Sequence, residues 1–176
     1  MYAQLETLIP APGADSANAG ARLDAAAGSP GFAGGYLLGQ LGHDRFAVLT
    51  LWHSTPDGGG YLVEDEWAGR DADQPAGAAV VLSFDGPLAD PLLHAARFGA
   101  QHRVVPAIKA TPGTVRGLAL LDGERRALLV INLVTSVEAL DALGHAVNST
   151  ELLPGEDPAL LPGPDRAEAY RVLTAV

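Results

Sequence analysis

The side chains able to do chemistry in this sequence are few and scattered. The five histidines, His43, His53, His94, His102 and His145, contain no i, i+4 pair, so the two-imidazole face with which a helix grips zinc is absent. There is no cysteine, which excludes disulfides, thiolate nucleophiles and Cys-ligated metals. No Gly-x-Ser-x-Gly elbow, Walker loop or dinucleotide fingerprint occurs, and no metal site is expected. What remains is acid–base and aromatic chemistry at single positions. On a helix through residues 90–110, His102 falls with Ala95, Phe98 and Gly99 on the more apolar face, as a hydrogen-bonded core imidazole or as the base of a pocket. His94, Arg97 and Gln101 form the opposite, solvated face. Asn132 interrupts the apolar run LLVINLV; a buried amide must be hydrogen-bonded, so it faces a ligand or is satisfied by backbone. Trp52 ends the apolar run FAVLTLW, and strict alternation puts Val48 and Thr50 on its face, either as core or as pocket lining. Tyr36, on the neighbouring strand, offers a hydroxyl to a ligand or to the rim, and Phe32 packs under the first helix.

These positions need elements to hold them. Residues 2–9 alternate polar and apolar as a half-buried strand does, ended by Pro10, Pro12 and Gly13. Asp15 or Ser16 caps an Ala-rich helix that Gly28–Gly31 stops, because Pro removes a donor and Gly takes the left-handed position. Strands at 32–41 and 46–52 flank the turn Gly42-His43-Asp44-Arg45. A second helix is expected to start near Thr55-Pro56-Asp57 and to carry Tyr61, Leu62, Glu66 and Trp67. A strand at 78–84 follows, then a long helix from Asp90 to Ala110 that Pro106 kinks or ends early. Strands near 115–121 and 127–134 meet at Asp122-Gly123, a hairpin signal. Ser136 caps a helix to Val147, a Pro-rich loop spans 150–165, and a last strand closes the chain.

The bulk numbers set the class. The 176 residues suit one domain or two small packed halves, and 48% apolar composition supports a core. A net charge of −10 without any Lys/Arg cluster removes the electrostatic footprint of a nucleic-acid binder. No apolar run approaches the roughly 20 residues of a membrane span, and the N-terminus has no secretory pattern, so a cytoplasmic protein is expected.

The chain repeats itself. Pro30-Gly31 and Gly35 match Pro112-Gly113 and Gly117 at an offset of 82; one residue lost in the turn then aligns Thr55-Pro56-Asp57 with Ser136-Val137-Glu138 at 81 and Trp52 with Leu133. Each half reads strand, helix, hairpin, helix, strand, the βαββαβ ferredoxin-like unit of α+β class, with boundaries 1–77 and 78–176. Two such units need eight strands and seven are found, so strand 78–84 belongs to either half.

From PGF through the hairpin to LTLWHSTPD, the first half resembles the antibiotic-biosynthesis-monooxygenase family of dimeric α+β barrels, and the whole chain resembles two such units fused. The resemblance implies two sheets packed into a barrel, ligand pockets between each sheet and its helices, and a pseudo-dimer within one chain, open to further homodimerisation. It places Trp52 at the family's pocket tryptophan; the residue patterns add Tyr36, Thr50, Phe32 and Asn132 as ligand contacts and His102 beside Trp52 as a catalytic candidate. Quinone-forming members need no cofactor, because a deprotonated phenol or anthrone itself passes an electron to oxygen; none is expected here. A cofactor-independent monooxygenase acting on a small aromatic, polyketide-like substrate is therefore the leading expectation. A non-catalytic small-molecule-binding or pseudo-enzyme domain is the alternative, and a structural partner in an assembly a third. Haem-degrading members add an Asn on the first strand and a His on the second helix; YAQLETLI and YLVEDEWAGR contain neither, which disfavours haem chemistry.

Overall fold

The computed structural model describes residues 1–9, 16–161 and 163–176. Pro10, Pro12, Gly13 and Asp15, read above as a strand end and a helix cap, lie outside them. In chain order the elements are β1 (Tyr2–Leu8), α1 (Ser16–Ala27), β2 (Phe32–Gln40), β3 (Phe46–Trp52), β4 (Tyr61–Ala68) and β5 (Ala78–Phe84). Then come α2 (Asp90–Gly99), a π turn (Ala100–Val104), α3 (Val105–Ala110), β6 (Thr114–Asp122), β7 (Ala127–Val134), α4 (Val137–Asn148) and β8 (Arg166–Ala175).

All strand pairs are antiparallel, and they close a barrel in the order β1-β3-β2-β8-β5-β7-β6-β4. The closing seam is short, Tyr2 against Leu62 and Ala3 against Tyr61, whereas the other seven pairings run the length of the strands. Alternation sorts the side chains. Leu38, Leu49, Leu51, Leu118, Leu120, Ile131, Leu133 and Tyr170 fill the barrel. Val48 and Leu37 face outward onto Leu23 and Ala19 of α1, while Val134 and Ala78 face Ile108 of α3 and Leu143 of α4.

The segment expected as a second helix is strand β4. Gly58 and Gly59 have φ of 83° and 81°, values a helix start does not use, and the aromatic and β-branched residues that follow suit a pleated surface. A bulge between Val63 and Asp65 resets the alternation, so Tyr61 and Val63 pack into the barrel while Trp67 faces outward. This is the eighth strand, and its pairing with β1 and β6 is what closes the sheet.

Elsewhere local signals and structure agree more closely. The Ser136 hydroxyl accepts from the Ala139 N–H at 3.4 Å and caps α4. Asp122-Gly123 does mark a hairpin, but its left-handed residue is Arg126 (φ 52°), and the Asp122 carboxylate accepts from the Glu124 and Arg125 N–H groups. Pro106 does not end the helical run: a π turn precedes it, with the Val105 N–H donating to the Ala100 carbonyl, and helix continues to Ala110.

Inside the barrel Tyr170 is 1% exposed, and its phenol is pushed up to about 12, first by burial and then by the Glu168 carboxylate. The folded value lies above the ordinary one of 10, so stability is intact below pH 10 and falls as pH rises toward about 12. Denaturant midpoints measured across that window should show this loss, and Tyr170→Phe should abolish most of it.

Candidate functional site

The outward face of β1 and β3, beside α1, is where polar side chains converge. Cross-strand register sets Tyr2 against Trp52, Gln4 against Thr50 and Glu6 against Val48, so one face presents an amide, a carboxylate, a hydroxyl and an indole together. Between this face and α1 lies a cavity of about 260 Å³ lined by Gln4, Glu6, Arg22, Val48, Thr50 and Trp52. Ala25 and Ala26 are its helix side, and their small side chains leave the room.

Trp52 is 9% exposed and held on two sides. Its indole N–H donates to the Thr50 hydroxyl at 3.0 Å, and Phe32 meets the ring edge-on with centroids 5.7 Å apart. The indole N–H is thus engaged within the protein, and what Trp52 offers to the cavity is ring surface. The Arg22 guanidinium donates to the Glu6 carboxylate across the opening. Gln4 donates to the carbonyls of Asp57 and Gly59 at 3.0 and 2.7 Å, which ties the loop before β4 to the site and turns its amide oxygen free for a donor.

Of the six positions singled out in the sequence, Trp52 and Thr50 line this cavity and Phe32 backs it. The other three lie elsewhere. Tyr36 points through the sheet into the barrel, because the period of two places it with Leu38 rather than with Leu37. His102 sits on the π turn, exposed, with Nδ1 3.0 Å from the Phe98 carbonyl and its ring stacked on Phe98. Its ring lies along the helix on its i−4 neighbour Phe98, which leaves it in solvent rather than on the covered side. Asn132 is buried (2% exposed) on the outward face of β7, in the half of the sheet covered by α3 and α4. Three polar lining residues were not singled out: Gln4, Glu6 and Arg22. Alternation does place Gln4 and Glu6 on one face of β1, but only the β1–β3 register brings that face to Trp52.

On the β5-β7-β6-β4 side the place equivalent to Trp52 is built differently. His53 donates to the Gly31 carbonyl and Thr135 to the Gly113 carbonyl, both at 2.8 Å, so the spacing stays at 82 residues through the hairpin and none is lost. The place of Trp52 is therefore held by Val134, paired with Ala78 and Thr114, and not by Leu133, which faces the barrel interior. Trp67 fills the space instead. Its indole lies on Gly117, where an added Cβ would come within 1.9 Å of the ring. Among the described residues, the Trp67 Nε1 and the Asn132 Oδ1 are both buried there without a hydrogen-bond partner.

The described residues include no group of three or more His, Asp or Glu placed to hold a metal ion, and no helix long and apolar enough to cross a membrane. Haem does not fit the donor set of the cavity: its lining holds no histidine, and the Gln4 amide N–H group is already committed to two carbonyls.

Compared by sequence, the chain matches no family model and no curated protein. Compared by structure, it is similar to a ferredoxin-fold protein related to antibiotic biosynthesis monooxygenases from Listeria monocytogenes, with a TM-score of 0.59, 11% identity and coverage of 98% of this chain and 95% of that one. It is similar to an anthrone oxidase-like protein (TM-score 0.61, 9% identity, 99% and 92% covered). It is also similar to a heme-degrading enzyme of Listeria monocytogenes (TM-score 0.55, 13% identity, 97% and 99% covered). The chain is thus an α+β, ferredoxin-fold protein with the barrel of the antibiotic-biosynthesis-monooxygenase-like structures.

Proposed function

We propose that the protein is a monooxygenase-like enzyme that needs no cofactor and acts on a small aromatic, polyketide-like phenol held against Trp52. The observation that carries this reading is the cavity of about 260 Å³ in which an aromatic wall, a carboxylate and a guanidinium meet. A phenol laid on the Trp52 ring can direct its hydroxyl to Glu6, which accepts the proton, while Arg22 stabilises the phenolate oxygen that remains. The electron-rich phenolate, rather than the protein, would then reduce oxygen. Tyr36, His102 and Asn132 have no part in this reading, and Phe32 and Thr50 hold Trp52 in place. The same reading takes residues 1–77 and 78–176 as two fused ferredoxin-like repeats that exchange their last strands, β4 pairing with β6 and β8 with β2. The first repeat has then lost its second helix.

The test is oxygen uptake with hydroxylated anthrones and naphthols. Glu6→Gln should lower turnover at least tenfold while leaving binding within about threefold, because the base is lost and the wall is kept. Unchanged turnover in Glu6→Gln removes Glu6 as the base. A second reading, a binding domain without catalysis, is favoured by the Arg22–Glu6 ion pair, which already engages the carboxylate. It predicts saturable quenching of Trp fluorescence by naphthols with no oxygen uptake.

A further inference from the structure

A larger cavity, of about 540 Å³, opens at the other end of the barrel from Trp52, where β5 and β6 end and β4, β7 and β8 begin. Its floor is apolar, made by Phe84, Pro87, Leu128 and Leu129 with the ring of Tyr61. Its rim is charged and of both signs: Asp85, Glu124, Arg125 and Arg166. These four groups sum to zero formal charge, but they are not all paired. Arg166 and Asp85 meet at 2.9 Å. Arg125 is left 3.7 Å from Asp122 with its side chain 80% exposed, and Glu124 makes no ion pair among the described residues. One weakly paired cation, Arg125, and one anion without an ion pair among the described residues, Glu124, thus stand next to each other on the β6–β7 hairpin, above an apolar floor. Burial raises the Tyr61 phenol, followed by the Asp122 carboxylate, so its hydroxyl stays a neutral donor at the edge of the same cavity.

We propose that this barrel mouth binds a small zwitterion with an apolar side chain, an α-amino acid of the leucine or phenylalanine kind. The side chain lies on Phe84 and Leu128, the carboxylate meets Arg125, and the ammonium meets Glu124. The volume suits a molecule of this size. A lone anion would leave Glu124 uncompensated and would approach a chain of net charge −10, whereas a zwitterion presents no net charge to that field. The site is independent of the Trp52 cavity and shares no lining residue with it.

Calorimetric titration of the full chain separates the parts of this recognition. L-Phenylalanine or L-leucine should bind saturably. N-Acetyl-L-phenylalanine, which lacks the ammonium, and 2-phenylethylamine, which lacks the carboxylate, should each bind about fivefold more weakly, as expected for exposed charge pairs. Arg125→Gln should weaken phenylalanine but not phenylethylamine, and Glu124→Gln should weaken phenylalanine but not the N-acetyl compound. Both substitutions lie on an exposed turn, and circular dichroism checks that the fold is kept. No saturable heat with either amino acid, equal binding of the three phenyl compounds, or affinities indifferent to both substitutions would overturn the proposal.

Discussion

Adding one methyl group at Gly117 is expected to cost about 3 kcal/mol of stability, the upper part of the range for overpacking a filled core. The Cβ would stand 1.9, 2.1 and 2.2 Å from three atoms of the Trp67 indole, and neither partner has room to give. Gly117 is fixed in the centre of β6, paired to Trp67 on one side and Asn132 on the other, and Trp67 is clamped under the helices at 6% exposure. Urea denaturation should show a lower midpoint at an unchanged slope. In a Trp67→Ala background the same substitution should be nearly harmless, since the clashing ring is gone, and that coupling identifies the cause. Gly20→Ala is the contrasting control. It lies within α1 with nothing within 4 Å of the added atom, so it should stabilise by about 1 kcal/mol through helix propensity alone. A Gly117→Ala protein as stable as the parent would mean that Trp67 does not occupy this position.

The second large effect separates Trp52 from Leu133, two residues that the sequence repeat sets in equivalent places and the barrel does not. Leu133→Ala should cost roughly 2–5 kcal/mol, because the side chain is 0% exposed among the barrel leucines, and it should leave ligand affinity alone. Trp52→Phe should keep the fold, yet lower the affinity for a naphthol by about fivefold, through the loss of ring surface facing the cavity. The indole N–H contributes to this only indirectly: its loss frees the Thr50 hydroxyl, which then turns within the cavity. Calorimetric titration with the naphthol, read beside thermal melts, reports both quantities. Equal losses of affinity in the two variants would reject a single site beside Trp52.

Much of this protein can be read along the chain. Alternation in 2–9, the apolar runs at 46–52 and 127–134, the Pro-Gly stops at 30–31 and 112–113, and the Ser136 cap are local signals, and each element they announce is present. They are legible because a period of two, a missing N–H and a hydroxyl acceptor act within a few residues. What the chain could not announce depended on which strand lies beside which. The propensity of 61–68 is split between helix formers such as Leu62, Glu64 and Glu66 and strand formers such as Tyr61, Val63 and Trp67; only the open edges of β1 and β6, waiting for a partner, decide for β4. The bulge in that strand, invisible in the sequence, sends Trp67 outward to pack under α3 and α4. His102, on the π turn, stacks on Phe98 and is exposed. The cavity beside Trp52 follows from register: Glu6 and Trp52 are 46 residues apart and share a face only because β1 lies antiparallel to β3 with Tyr2 against Trp52. Side-chain chemistry and local conformation are properties of the sequence, whereas convergence of side chains is a property of pairing, and pairing is settled only when the whole barrel closes.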